Sequence, residues 1–90
     1  MAKVRVRVSA AIFAKKGDIN LEADTLEDAL RKVAEQFDEK MRTRIFDQEG
    51  EINRFMDIFV NGTNISLLSG PDTLLRDGDT VTVLQVVSGG

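Results

Sequence analysis

The chain changes its hydrophobic period twice, and that order of periods limits its fold more than any other feature. Lys3 to Ser9 alternates strictly, with Val4, Val6 and Val8 on one face and Lys3, Arg5, Arg7 and Ser9 on the other, the period of a half-buried strand. Gly17 follows Phe13-Ala-Lys-Lys and supplies a turn residue; Ile19, Leu21 and Ala23 then alternate with Asp18, Asn20 and Glu22, so an N-terminal hairpin is expected. The period then lengthens. Leu26, Ala29, Leu30, Val33, Phe37 and Met41 recur at spacings of three and four, the stripe of one amphipathic helix, with Asp24 as its expected cap and Glu27 three residues later. Leu30 and Phe37 are expected in the core. Glu27 with Arg31 and Asp28 with Lys32 are i,i+4 pairs in the favourable order.

From Thr43 the period of two is expected to return. Ile45 and Phe46 lead through Gln48-Glu49-Gly50 to Ile52, Met56, Ile58 and Val60, read as a second hairpin, and Asn61-Gly62 is the preferred pair for a type I′ reversal. Gly70-Pro71 and Asp77-Gly78 mark two further turns around Leu74-Leu75, and a last strand is expected from about Thr80 to Val87. A hairpin, one helix and then more strands are accommodated most economically by a mixed sheet packed on one main helix, since both can share a core. The expected class is therefore α+β, a β-grasp, forming one domain over residues 1–90 with a flexible tail from about 87 to 90.

Composition removes most chemistry. With neither Cys nor His in its ninety residues, the chain cannot form thiolate or imidazole metal sites, a Cys nucleophile, a Ser-His pair or a redox dithiol. Residues 51–90 hold Arg54 and Arg76 against Glu51, Asp57, Asp72, Asp77 and Asp79, so the net charge of −3 arises in that part. An acidic chain without basic runs, Trp or Tyr is a poor match to a phosphate backbone, and nucleic acid is set aside. No apolar run approaches the length of a membrane span, and no export signal is visible, so a cytoplasmic location is expected. Asp77-Gly78-Asp79 lacks the rest of a Ca²⁺ loop and reads as a turn. Neither glycine-rich phosphate motif occurs, and Lys15-Lys16 reads as solvated turn residues.

Ser88-Gly89-Gly90 follows an apolar strand directly. Such an end can be a frayed terminus, but it also has a specific use, because glycines lack Cβ and two of them can thread a narrow channel and present a carboxylate to another protein. A carboxylate is unreactive until activated, for example as an acyl-adenylate, and this chain carries no ATP motif. Gly90 is thus the candidate reacting group, Gly89 its slender support, and ATP is expected to be used by an activating partner. In the last strand Val81 and Val83 take the inward phase, which leaves Leu84 and Val86 outward; Phe59, between inward Ile58 and Val60, shares that face. Phe59, Leu84 and Val86 therefore form a candidate docking patch, continued by Val87 and Ser88, unless a bulge rephases the strand.

Ile58-Phe-Val-Asn-Gly-Thr-Asn-Ile, Gly70-Pro-Asp-Thr-Leu-Leu-Arg-Asp-Gly-Asp-Thr-Val and the terminal Val86-Val-Ser-Gly-Gly resemble, in order, the MoaD family of ubiquitin-like sulfur carriers. Asp24-Thr25-Leu26-Glu27-Asp28-Ala29-Leu30 falls where that family has its helix. The resemblance implies a protein cosubstrate rather than an enzyme. The Gly90 carboxylate would be adenylated by a MoeB-type adenylyltransferase and converted to a thiocarboxylate, then donate sulfur in the large, MoaE-type subunit of molybdopterin synthase. The chain lacks the proline often found before Gly-Gly in MoaD-like sequences, and Gln85-Val-Val-Ser-Gly-Gly is also similar to the ending of ThiS, the thiamin-pathway carrier. Small archaeal modifiers, relatives of the same family, join protein lysines through the same terminal glycine. A β-grasp binding module that never activates its tail is the alternative of a different class.

Overall fold

The computed structural model describes residues 1–8, 17–37 and 39–85. The first two strands, β1 (Ala2–Val8) and β2 (Gly17–Ala23), pair antiparallel from Ala2 opposite Ala23 to Val8 opposite Gly17, as the alternation predicts. Next come the helices α1 (Leu26–Glu35) and α2 (Glu39–Ile45), strands β3 (Met56–Val60) and β4 (Thr63–Asn64), two short 3-10 turns, Ile65–Leu67 and Gly70–Asp72, and strand β5 (Thr80–Gln85). The sheet order is β2-β1-β5-β3-β4, with β5 parallel to β1 and antiparallel to β3. This is the mixed sheet and main helix of a β-grasp. Val4, Val6, Ile58, Val81 and Val83 on the inward face meet Leu26, Ala29, Leu30 and Val33 of α1, all of them buried.

Three local expectations are corrected. The helix is capped by Thr25, not Asp24: the Thr25 Oγ1 accepts the Asp28 N–H at 3.2 Å. Asp24 is held extended because its carbonyl accepts from Leu75 N–H at 2.9 Å, while Leu26 N–H donates to Thr73 at 2.9 Å, so helical geometry begins only beyond that bridge. Second, the helix does not continue to Met41. Gln36 and Phe37 N–H groups bond three residues back, to Val33 and Ala34, which tightens and ends the last turn. In one straight helix Ile45 would stand about 22 Å along the axis from Leu30; the break returns it to the molecule, where it is fully buried. Phe37, expected in the core, is only half-buried at its margin. Third, Thr43–Ile45 is helical, so the expected second hairpin reduces to a single antiparallel bridge between Phe46 and Ile52.

The expected ion pairs form, Arg31 with Glu27 at 3.1 Å and Lys32 with Asp28 at 3.3 Å. The Asn61-Gly62 reversal also forms, with φ of 52° and 86° between paired Val60 and Thr63. The asparagine side chain does more than turn the chain. The Asn61 Nδ2 donates to Asp79 Oδ1 at 2.8 Å, and its Oδ1 accepts the Thr80 N–H at 2.9 Å. The other Asp79 oxygen accepts Arg76 N–H, and Asp77 accepts Lys3 N–H, both at 2.8 Å. Asp77 and Asp79 are thus bonded turn residues, and together with Asn61 they latch the starts of β1 and β5. Asn61→Ala removes the two side-chain bonds to Asp79 and Thr80 and forces Ala into positive φ, so a loss of about 2 kcal/mol is expected, read as a thermal midpoint lower by on the order of 10 °C. An unchanged midpoint would show the latch to be incidental.

Candidate functional site

The register of the three central strands determines which outward side chains share a neighbourhood. Reading across the outer face, Asn64, Phe59, Thr82, Arg7 and Asp18 occupy successive partner positions on β4, β3, β5, β1 and β2. One step along, Asp57 opposes Leu84, which sets Phe59 diagonal to Leu84, within reach for an aromatic side chain. The pairing runs unbroken from Val60–Val81 to Met56–Gln85, so no bulge rephases β5 over this span. Leu84 is accordingly outward and 41% exposed, while Phe59 is half-buried. The two expected docking residues do lie together. Val86, Val87, Ser88, Gly89 and Gly90 lie outside the described residues, as does the expected flexible tail.

Beside this patch the face is charged. Arg7 Nε approaches Asp18 at 3.4 Å and Arg5 Nε the same carboxylate at 3.8 Å, all three side chains well exposed. Pairs of this kind contribute little to stability, about 0–1 kcal/mol, so their main effect is the local field. Two guanidinium groups sharing one carboxylate leave the strip next to Thr82 net positive.

Phe55 was not legible as a site residue. It is 53% exposed, with the Arg54 guanidinium carbon 5.8 Å from its ring centroid, and it immediately precedes Met56, the partner of Gln85. Phe55 therefore adjoins the last described pair of the β3–β5 ladder. Ile52 is half-buried and Phe55 lies in the turn before β3, so the strand phase that finds Phe59 does not extend to Phe55. Among the described residues one acidic group has metal-like spacing, Asp47, Glu49 and Glu51, with carboxylate oxygens within 4.8 Å of one another. Asp47 Oδ1 there accepts the N–H groups of Glu49 and Glu51 at 2.9 and 3.0 Å, which shapes the loop. Among the described residues no helix is long and apolar enough to cross a membrane.

The sequence matches the ThiS family over residues 6–90, through Gly89 and Gly90. The chain belongs to the ThiS family. It is therefore of the ThiS/MoaD-like, ubiquitin-like sulfur-carrier type. This ThiS-family chain is 34% identical over 88 residues to a protein of Archaeoglobus fulgidus whose name marks it as a candidate sulfur carrier, covering 97% of this chain and 98% of that one. Its fold is similar to the solution structure of small archaeal modifier protein 1, SAMP1, from Methanosarcina acetivorans, with a TM-score of 0.83 and 28% identity over 100% of this chain and 98% of that chain. It is also similar in fold to a chain of the Amycolatopsis orientalis BexX/CysO complex, with a TM-score of 0.79 and 22% identity over 97% of this chain and 99% of that one. The MoaD resemblance seen in the sequence and the ThiS match thus meet in one family.

Proposed function

We propose that this protein carries sulfur on its last residue for molybdopterin formation. The observation that carries the reading is the family match running through Gly89-Gly90, supported by the sulfur-carrier relative matched over nearly its whole length. An oxygen of the Gly90 carboxylate attacks the α-phosphorus of ATP on a MoeB-type adenylyltransferase, and pyrophosphate leaves. Hydrosulfide then attacks the acyl carbon, the bond to AMP breaks, and loss of the sulfur-bound proton leaves a thiocarboxylate. That group delivers its sulfur within the MoaE-type large subunit of molybdopterin synthase. Gly89 threads the channel, and Phe59, Leu84, Val86, Val87 and Ser88 form the docking side, to which Phe55 is added here. The chain acts as a cosubstrate in the cytoplasm and binds no cofactor itself; ATP belongs to the activating partner.

The likeness to SAMP1 favours a second reading, conjugation of Gly90 to lysines of target proteins. The mass of the protein from its native cell decides between them. Replacement of one terminal oxygen by sulfur supports the carrier, whereas Gly-Gly remnants on lysines of other proteins support the modifier. Full function after deletion of Gly89-Gly90 would defeat both and leave a β-grasp binding module. Docking is tested separately: Phe59→Ala should weaken the complex with the activating enzyme by about 1–3 kcal/mol while molecules already bound react at a nearly normal rate. Unaltered affinity would remove Phe59 from the interface.

A further inference from the structure

An acidic surface flanks the first turn of α1. Between the first turn of α1, the segment around Ile52 and the second 3-10 turn is an open hollow of about 430 Å³. Ile52, Ile65 and Pro71 line it with apolar surface, and Glu27, Glu51 and Asp72 ring it with carboxylates. Glu51 and Ile52 also line an adjoining hollow of about 540 Å³, which extends past Asp47 and Glu49 to Arg54 and Phe55. The two hollows meet at Glu51 and Ile52, and this trough is lined by five carboxylates. Three arginines border it, of which Arg42 lies beside Asp47, against five carboxylates. Arg31 bonds Glu27 and lies 5.2 Å over the Phe46 ring, Arg54 sits against Phe55, and among the described residues no cation pairs with Glu51 or Asp72.

We propose that this trough docks a basic segment of a partner protein, an extended stretch in which an apolar side chain is flanked by lysines or arginines. Charge complementarity selects that occupant. A metal ion or polyamine would engage the carboxylates and leave the aliphatic floor unused, while a nucleic acid or anionic bilayer would be repelled. A peptide with both features covers Ile52 and Ile65 and compensates the rim. The second hollow ends at Phe55, but neither Phe59 nor Leu84 lines either one, so a segment seated over Ile52 and Ile65 leaves those two side chains uncovered. The inference is independent of any sulfur chemistry at Gly90.

The test uses the full chain and a fluorescent synthetic probe, Lys-Lys-Leu-Leu-Arg-Lys, followed by anisotropy and by amide NMR. Saturable binding that weakens with salt is expected, with shifts centred on Glu27, Glu51, Ile52, Ile65 and Asp72. Glu51→Gln with Asp72→Asn should weaken the probe about tenfold, and replacing its two leucines by glycine should weaken it severalfold. Both substituted residues are exposed, so folding should persist; if it does not, Glu51→Gln alone is read against the same shift map. The proposal is overturned by absent binding, by shifts centred on Phe59 and Leu84, by indifference to the carboxylate substitutions, or by a leucine-free probe that binds equally well. Displacement of the probe by magnesium or spermine as readily as by unlabelled peptide would likewise identify an ion site.

Discussion

Gly90→Ala is expected to slow adenylation or sulfur transfer by on the order of a hundredfold, because a displacement of about 1 Å at a reacting centre can cost that much in rate. The added methyl lies beside the reacting carbon, inside a channel that on the carrier reading encloses the tail closely. Folding should be unaffected, since the buried core is built from residues between Val4 and Val83. Affinity for the activating enzyme should also hold, because Phe59 and Leu84 are intact. Pyrophosphate release from the purified pair, measured beside a binding isotherm, separates rate from affinity. Reaction at the parent rate would refute the threading role of Gly90, and a profile matching that of Phe59→Ala would refute the division between docking and chemistry.

Leu30→Ala should produce the largest loss of stability, about 3–4 kcal/mol, a substantial share of the roughly 5–15 kcal/mol available to a domain. Leu30 is fully buried in the middle of α1, facing the inward valines of the sheet, and truncation leaves a cavity that the surrounding strands cannot close. Phe37→Ala should cost less, about 2 kcal/mol, because its ring is already partly in solvent. Urea unfolding of the two variants gives the comparison. A loss below about 1 kcal/mol for Leu30→Ala would mean that α1 packs by a different face.

What could be read in the sequence was whatever depends on local period and turn chemistry. The valines of β1, the inward phase of Val81 and Val83, the Asn61-Gly62 reversal and the helix stripe through Val33 each follow from residues within a few positions of one another. What could not be read depends on partners distant in the chain. Asp24 and Thr25 are both good caps, and the choice is made by hydrogen bonds from residues 73–75, nearly fifty positions away. Periodicity likewise carries no information about where the sheet stops, so the stripe from Leu26 to Met41 looked continuous although α1 ends at Glu35. The site divides in the same way. Phe59 and Leu84 were found by their phase, whereas Phe55 lies just before β3 and gained its importance only from the pairing of Met56 with Gln85. Asn61, Asp77 and Asp79, which helped to carry the family resemblance, proved to hold the starts of β1 and β5 together.

The central place of β5 has a consequence for how the protein is made. Without Thr80–Gln85 the sheet separates into the pairs β1-β2 and β3-β4, and an isolated two-stranded ribbon is marginal at best in water. The first seventy residues therefore hold no completed sheet, and β1 must wait for a parallel partner more than seventy positions further along. Folding must close a loop of almost the entire chain, a topology expected to fold slowly for its size. Chains cut short before Thr80, by failed translation or by proteases, would lack the strand that joins the two pairs and would become targets for degradation.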